Sequence, residues 1–423
     1  MNSLIQTFGQ TTRKQILTSP QRAGAMLRYA YLLMAAKSRY APSRDFLPAR
    51  EYLLSACNRS VARSLQAQPN AGIVNVFLPC EILHAMGVHP MFPEGMAVYF
   101  SAAASERAFI ETAEKNGVPD SFCSYHKVLI GAAESGVLPK PRFILHTTLL
   151  CDANRLTFKR LADYYTIPRY CVDVPNHAGP QSVGYVADQL RGMAAFLSQH
   201  SGLTLDEDTL KQTLERTRST ITLYRRYLRL RRERALPADM TGEMLPLFSN
   251  HVLLGTEDAL QYARRLVTDM EALPTGKSKV RLVWVHTMPN WQEPLRALFR
   301  RHPEVELLGC DLAFSALQPT DPEKPYESMA KRILENHLNG PASRRIDAVL
   351  AFAREMRADG VVYFNHWGCK ATMGASQLAR KKLEESGFPT LVFDGDGCDS
   401  GNAGSGQMLT RMEAFLEQLE AGV

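Results

Sequence analysis

Two separate series of short β-rich runs constrain the fold of this chain more than any other feature of its sequence. The first series has three runs, at Gly72–Phe77, Arg142–His146 and Arg169–Val174. The second has four runs, at Val280–Val285, Val305–Cys310, Gly360–Phe364 and Thr390–Phe393. Helix-like segments separate the runs, and strands that alternate with helices favour a mostly parallel, doubly wound sheet. The pattern therefore predicts an α/β protein with two such sheets.

Helical patterns fill much of the remaining chain. Residues 22–40 and 51–65 carry apolar side chains at near-helical spacing, and residues 181–272 show few strand signals. At 423 residues the chain is too long for one ordinary core. The predicted organisation is a helical N-terminal cap (1–70), a first α/β domain (71–180), a helical connecting section (181–278) and a second α/β domain (279–423).

The composition excludes several classes of protein. An apolar content of 45% and a charged content of 22% are those of a folded chain. The net charge of +6 falls short of a nucleic-acid-binding signature, and no stretch has the roughly 20 consecutive apolar residues that span a membrane. The N-terminus also lacks the apolar core of an export signal. We therefore expect a cytoplasmic protein whose eight cysteines stay reduced.

Four of the cysteines stand at the ends of predicted elements rather than inside them. They are Cys80, Cys123, Cys151 and Cys369. Ligands of open α/β sheets gather outside the carboxyl ends of the strands, and thiolates suit soft metals and iron–sulfur clusters. No CxxC pair is present, however, and free cysteines are commonly buried in cores. From the residues alone, a shared metal site and core packing both stay open.

The other chemical signals favour structural roles. Cys57 and Cys171 lie inside a helical and a strand pattern, and Cys310 and Cys398 are interpreted as a packing residue and a loop residue. The glycine-rich loop at 394–406 matches neither a P-loop nor a dinucleotide fingerprint, so a turn and a helix start are expected there. The basic, aromatic-interleaved segment at 224–232 is typical of a solvated helix face, with an acidic partner or an anionic ligand as the alternative.

Taken together, several blocks resemble one known family. They are Phe77–Gly87, Cys123–Gly131, Thr147–Asp152, Asn365–Cys369, Gly387–Asp396 and Gln407–Phe415. In order and spacing these blocks resemble subunits of the 2-hydroxyacyl-CoA dehydratase and benzoyl-CoA reductase family, of the D-component type. The resemblance covers most of residues 74–417.

The resemblance implies a fold, a cofactor and partners. Family members have two flavodoxin-like (Rossmann-like) parallel-sheet domains, pair with a paralogous sister subunit, and hold a [4Fe–4S] cluster with cysteines between the domains. A separate ATP-hydrolysing activator protein injects one electron, the acyl-CoA substrate becomes a ketyl radical anion, and hydroxide leaves from C2. Ligand roles carry over to Cys80, Cys123 and Cys369, with Cys151 as the fourth candidate.

Two departures and two alternatives accompany this resemblance. Some relatives carry their first cysteine several residues before the Pro-x-Glu block, where this chain has Asn75, whereas Cys80 lies inside the block. The GCxC motif of relatives with a larger double-cubane cluster is missing.

The alternatives are a benzoyl-CoA-type reductase subunit and a structural or electron-relay partner subunit. His126 and His366, each near a candidate cysteine, could donate hydrogen bonds at the site.

Overall fold

The computed structural model describes residues 3–236, 239–402 and 405–422. Two four-stranded sheets, each entirely parallel, form its framework. The first sheet has the order β2-β1-β3-β4 and the second has the order β6-β5-β7-β8. The strands are β1 (Ala71–Val74), β2 (His89–Met91), β3 (Phe143–Thr147), β4 (Arg169–Val172), β5 (Val280–Val285), β6 (Val305–Cys310), β7 (Gly360–His366) and β8 (Thr390–Gly395). The predicted α/β fold with two flavodoxin-like sheets is confirmed.

Helices precede the first sheet and cover it. Three long helices form the N-terminal region: α1 (Ser3–Thr18), α2 (Pro20–Tyr40) and α3 (Pro48–Ser64). Five more connect the strands of the first sheet: α4 (Glu81–Ala85), α5 (Pro93–Ala102), α6 (Glu106–Lys115), α7 (Ser124–Glu134) and α8 (Asp152–Tyr165). Within the described ranges, no helix is both long and apolar enough to cross a membrane.

A helical section joins the two sheets, and further helices surround the second. The joining helices are α9 (Pro180–Ser201), α10 (Glu207–Arg231), α11 (Met240–Met244), a π-helical turn (Phe248–Val252) and α12 (Glu257–Ala272). The helices of the second sheet are α13 (Glu293–Phe299), α14 (Pro325–Leu334), α15 (Ala342–Met356), α16 (Lys370–Met373), α17 (Ser376–Glu385) and α18 (Ser405–Glu420). The domain boundaries at residues 70, 180 and 278 stay predictions.

Both sheets have the same kind of topological switch point. In each, the first strand along the chain lies between the second and the third, so the connections leave it in opposite directions. A crevice opens at that point outside the carboxyl ends of the strands, and ligands of such folds bind there. A binding site is therefore expected among the segments that follow β1, β3, β5 and β7.

The first strand ends earlier than its sequence predicts. The β-rich run continues to Phe77, but pairing stops at Val74. The side-chain oxygen of Asn75 accepts the backbone N–H of Thr147 (3.0 Å), and its amide nitrogen donates to the Thr147 hydroxyl (3.2 Å). Because this buried amide substitutes for a strand partner, the chain turns away at the switch point of the first sheet.

The basic segment at 224–232 lies mainly in helix α10, which is amphipathic. Tyr224, Tyr227 and Arg231 are buried, whereas Arg225 and Arg226 are exposed. Arg231 forms buried ion pairs with Glu243 (2.9 Å) and Glu306 (3.1 Å), and Glu306 belongs to β6. One cation of the segment therefore anchors the connecting section to the second sheet.

The Pro-x-Glu block is tied to the second half of the chain by a buried ion pair. Oε1 of Glu81 accepts hydrogen bonds from Nη2 of Arg332 on α14 (2.5 Å) and from the Thr217 hydroxyl on α10 (3.1 Å). Both charged side chains are almost completely buried. Breaking a buried pair from one side leaves a charge without compensation, which is costly.

We expect Arg332→Met to lower the free energy of unfolding by about 3–5 kcal/mol, because Glu81 would keep its buried charge without a partner. Chemical denaturation followed by circular dichroism measures this loss. Lys331→Met on the same helix is the matched control, since its pair with Glu335 (3.7 Å) is largely exposed and worth about 0.5 kcal/mol or less. Equal losses in the two variants would contradict a structural role for the Glu81 pair.

Candidate functional site

A cavity of about 780 Å³ lies where the carboxyl ends of the two sheets meet. Val76 and Leu150, which follow β1 and β3, line it from the first sheet. His286 and Gly368, which follow β5 and β7, line it from the second. The cavity therefore occupies the switch points of both sheets, where ligands of such folds bind.

Three of the four candidate cysteines line this cavity: Cys123, Cys151 and Cys369. Each stands directly before the first residue of a helix, at the start of α7, α8 and α16 respectively. Cys151 and Cys369 follow the ends of β3 and β7, so the strand-to-helix turn brings each thiol to the sheet edge. The backbone N–H groups at the starts of α7 and α8 favour negative charge on the adjacent sulfur atoms.

The pKa values of Cys123 and Cys151 depend on the neighbouring thiols as well as on burial. Burial raises the pKa of Cys123 well above its ordinary value, and the nearby Cys151 and Cys369 raise it further. Burial also raises the pKa of Cys151 to about 12, again with a contribution from Cys369. At neutral pH the Cys123 and Cys151 thiols therefore keep their protons unless a cation replaces them.

Two histidines contact the sulfur atoms. Nε2 of His366 lies 3.3 Å from Sγ of Cys123, and the Gly397 N–H donates to Nδ1 of His366 (3.1 Å). Burial lowers the pKa of His366 and keeps the ring neutral. Since Nδ1 is an acceptor, the proton of the ring is on Nε2, which donates to the sulfur. Nε2 of His126 lies 3.5 Å from Sγ of Cys151.

The histidine contacts do not follow proximity in the sequence. His366 is close to Cys369 in the sequence but contacts Cys123, and His126 is close to Cys123 but contacts Cys151. The reason is that each ring points across the cavity edge to a thiol on another element. These contacts therefore join α7 to β7 and to the turn after β3.

Cys80 does not line the cavity. It is completely buried, and its thiol donates to the carbonyl oxygen of Leu78 (3.4 Å). Burial raises its pKa, and the charged groups that influence it are Glu81 and Arg332 rather than another cysteine. Glu81, the next residue, is bound to α14 by the buried ion pair with Arg332.

The remaining four cysteines also lie outside the cavity lining. Cys57, Cys310 and Cys398 are completely buried, and Cys171 is half-buried in β4. The Cys398 thiol donates to the carbonyl oxygen of Ala97 (3.4 Å), which is a packing role.

The glycine-rich loop after β8 is a turn docked on the first half of the chain. Oδ1 of Asp396 accepts the Ser124 hydroxyl (2.6 Å) and the backbone N–H groups of Cys398 and Asp399 (2.8 Å each). Arg107 donates to both carboxylate oxygens of Asp399 (2.9 and 3.0 Å). Helix α18 follows the loop, as predicted, although residues 403 and 404 lie outside the described part of the chain. The aspartates bind protein groups rather than an anion.

The turn that carries Cys369 packs directly on the backbone of Cys123. Gly368 has a φ of 80°, and a Cβ atom there would lie 2.6 Å from the Cys123 nitrogen and 2.7 Å from its Cα. Backbone atoms cannot swing aside as a flexible side chain can. Glycine is therefore required at this position by both conformation and space.

Gly368→Ala is expected to destabilise the protein by about 2–4 kcal/mol, from left-handed strain plus the backbone clash. Gly387→Ala is the matched control, because Gly387 has a φ of 87° but no neighbouring atom within 4 Å of the place that a Cβ would occupy. In that variant the left-handed backbone strain alone should lower the free energy of unfolding, by about 1 kcal/mol. Thermal unfolding of both variants compares them, and losses of the same size would show that the Cys123 contact is loose.

Glu94 on α5 is a functional candidate that the sequence did not reveal. It lines the cavity, and its Oε1 accepts a long hydrogen bond from the Val76 N–H (3.4 Å). Its Oε2 is buried without a hydrogen-bond partner, and burial raises the pKa of the carboxyl to about 8. The signal was weak because Glu94 follows β2, a three-residue strand that the sequence did not predict.

Other polar atoms of the lining also lack protein partners. Nδ1 of His126, Nδ1 of His286 and Oδ1 of Asn290 are buried without a hydrogen bond. His286 has a φ of 78°, which is unusual for a residue other than glycine, and Asp311 accepts its backbone N–H (2.7 Å). Buried polar atoms normally have partners, and backbone strain persists mainly at functional sites. The cavity therefore has the character of a binding site.

The chemistry of the donor set fits an iron–sulfur cluster, whose usual protein ligands are cysteine thiolates. Among the described residues, no three His, Cys, Asp or Glu side chains converge closely enough to hold one ion. A four-iron cluster distributes its ligands over separate iron atoms, so its thiols surround a space instead of meeting at a point. Three thiols around a cavity, two of them with histidine contacts, match that chemistry.

Comparisons with known proteins identify the family of the chain. A family model described as 2-hydroxyglutaryl-CoA dehydratase, D-component, matches residues 75–419. The chain is 24% identical over 383 residues to the lactoyl-CoA dehydratase subunit alpha of Anaerotignum propionicum, covering 82% of this chain and 89% of that protein. It is 25% identical over 370 residues to the (R)-phenyllactyl-CoA dehydratase alpha subunit of Clostridium sporogenes, covering 81% and 88%.

A reductase subunit is similar to a comparable degree. The chain is 22% identical over 389 residues to a benzoyl-CoA reductase subunit of Thauera aromatica, covering 82% of this chain and 89% of that protein. The family model spans most of the chain, and the resemblance seen in the sequence is confirmed. The chain belongs to the 2-hydroxyglutaryl-CoA dehydratase D-component family.

Proposed function

We propose that this chain is the iron–sulfur subunit of an ATP-activated, radical 2-hydroxyacyl-CoA dehydratase, a hydro-lyase that removes water from a 2-hydroxyacyl-CoA. The observation that carries the proposal is the meeting of three thiols from both halves of the chain at one cavity. The names of several relatives support the reaction class, since they are dehydratase alpha subunits for lactoyl-CoA and (R)-phenyllactyl-CoA.

Cys123, Cys151 and Cys369 would hold a [4Fe–4S] cluster, and Cys80 would not take part. Three protein thiolates leave one of four irons without a protein ligand. When bound, such a cluster supplies a low-potential electron and a Lewis-acidic iron for the thioester oxygen. The His366 N–H donates to Cys123 and thereby fixes the orientation of that sulfur.

Glu94 would move protons in this cavity. Loss of water from a 2-hydroxyacyl group requires removal of a proton from C3 and protonation of the hydroxide that leaves C2. A carboxyl group with a pKa of about 8 can donate or accept a proton near neutral pH. The apolar residues around it limit the access of bulk water.

The partners follow from the same proposal. The chain would act on an acyl-CoA substrate in the cytoplasm, beside a paralogous sister subunit and a separate ATP-hydrolysing activator. The support is that the relatives are named as subunits of larger enzymes.

A benzoyl-CoA-type reductase is the second candidate function. The observation that favours it is the benzoyl-CoA reductase relative, together with the aromatic side chains that line the cavity. The same three thiols would serve that reaction, so the cluster alone does not separate the two candidates.

The deciding experiment combines anaerobically purified protein, its sister subunit, the activator and ATP. Conversion of a 2-hydroxyacyl-CoA to the 2-enoyl-CoA supports the dehydratase. Reduction of the ring of benzoyl-CoA without loss of water supports the reductase. Cluster-loaded protein that binds and turns over no thioester would indicate a structural or electron-relay subunit instead.

A further inference from the structure

Four aromatic rings form a continuous part of the cavity wall. Tyr31 contacts Tyr99 edge-on (5.5 Å between ring centres), Tyr99 contacts Phe248 (5.9 Å), and Phe248 contacts Phe92 (5.1 Å). All four residues line the cavity, and they come from α2, α5, the residue directly before α5 and the π-helical turn. These separate segments together present a ring-lined surface in the same cavity as the three thiols, and the Tyr31 and Tyr99 hydroxyls are its only polar side-chain atoms.

No buried lysine or arginine balances this wall among the described lining residues. The lining contains two basic side chains, of which Lys370 is exposed and Arg296 forms an ion pair with Glu293. The lining also contains His126, His286 and His366, and two of these rings contact the proposed ligand thiols. A carboxylate brought into the cavity would lose its hydration and could gain only neutral donors, such as the Tyr31 and Tyr99 hydroxyls, in place of a buried lysine or arginine.

The size of the cavity favours a large acyl group. Its volume of about 780 Å³ is in the upper part of the range for small-molecule sites, and under the proposed function the cluster and the acyl group share this space. A short acyl group would leave most of the aromatic wall uncovered. A large apolar acyl group would remove both its own surface and that wall from water.

We infer that the site accepts 2-hydroxyacyl-CoA thioesters with a large, uncharged, apolar side chain, and prefers those that carry an aromatic ring. This inference rests on the proposed function, because it names the substrate class of the same site. Short acyl groups and acyl groups with a second carboxylate are the disfavoured classes.

Calorimetric titration of the anaerobically purified full chain tests the inference without turnover. The probes are 2-hydroxy-3-phenylpropionyl-CoA, 2-hydroxypropionyl-CoA, 2-hydroxyglutaryl-CoA and free CoA. We expect the phenyl-bearing thioester to bind roughly tenfold to a hundredfold more tightly than the 2-hydroxypropionyl thioester. The 2-hydroxyglutaryl thioester should bind no more tightly than free CoA.

A cavity-narrowing variant gives a second readout. Val98 on α5 is half-buried and lines the cavity, so Val98→Trp should fill the space beside the rings. The ratio of the two dissociation constants, for the phenyl-bearing and the 2-hydroxypropionyl thioester, should fall towards one. Leu33→Trp on the exposed face of α2, outside the lining, is the matched control and should preserve the wild-type ratio.

The possible results distinguish a failure of the substrate class from a failure of the proposed function. Thioester binding with equal or greater affinity for the short or the dicarboxylate probe would overturn the substrate class and leave the dehydratase proposal standing. If no thioester binds more tightly than free CoA, the proposed function fails and the substrate class fails with it. A Val98→Trp variant that keeps the full preference would overturn the assignment of the preference to this wall.

Discussion

Anaerobically purified protein with Cys369→Ala is expected to lose most of its iron, whereas the unaltered protein should carry about four iron and four sulfide atoms per chain. The physical reason is that Cys369 is the thiol that the second half of the chain contributes to the cavity lining. Without it, a cluster would be held by Cys123 and Cys151 on one side alone. Colorimetric iron and sulfide determination, with electron paramagnetic resonance of the reduced protein, measures the loss.

Cys80→Ala is the matched control for this experiment. Cys80 is a buried cysteine directly before a helix, like Cys123, but it does not line the cavity. We expect this variant to keep its full iron content, with only the modest loss of stability caused by a small change in the core. Full iron in Cys369→Ala, or loss of iron in Cys80→Ala, would overturn the proposed ligand set.

Glu94→Gln is expected to reduce dehydration by roughly 10²–10⁴-fold, which is the usual contribution of a proton-transferring side chain. The amide preserves the size of the side chain but cannot exchange a proton. Iron content should stay unchanged, because Glu94 is not among the proposed ligands. Turnover measured with the sister subunit, activator and ATP, beside iron quantification, distinguishes a proton-transfer role from damage to the cluster.

The stability of the same variant should depend on pH in a defined direction. The pKa of Glu94 is about 8 in the folded protein, against an ordinary value of 4.5. Between these two pH values the folded chain holds a proton that the unfolded chain has released, so the free energy of unfolding falls as the pH rises. Glu94→Gln has no titrating carboxyl at this position, so its free energy of unfolding does not fall in this way. Its stability relative to the unaltered protein should therefore increase from about pH 5 to about pH 8.

Asp188→Asn provides the control for both measurements, since Asp188 is a well-exposed carboxylate in a surface ion pair with Arg191. Replacing it should alter neither turnover nor the pH dependence of stability. If Glu94→Gln retained near-normal turnover, Glu94 would not be the proton-transferring group, whatever its effect on stability.

The sequence predicted the buried strands well because such strands have a strong signal. Val280–Val285 and Val305–Cys310 are predicted and observed with the same bounds, since parallel strands buried on both faces are mostly apolar, each here with one charged residue. Strand β2 was not predicted because it has three residues and includes Pro90, which removes a donor and restricts it to the sheet edge. Because β2 was not predicted, the sequence also did not indicate that Glu94, which follows this strand, lies at the cavity.

The choice among the cysteines could not be made from the sequence. Cys80 and Cys123 both precede a helix, and both are buried. What separates them is a contact between distant segments: Glu81 is held by Arg332, whereas Cys123 is contacted by His366. Local patterns locate a thiol at an element end, but they carry no information on which distant side chain will meet it.

The contact of Gly368 with the backbone of Cys123 also bears on how the protein is made. The turn that carries Cys369 follows β7 of the second sheet, whereas Cys123 belongs to the first half of the chain. The three thiols can therefore meet only when both sheets have formed and docked on each other. A cofactor that requires all three must be acquired by a chain that is already largely folded.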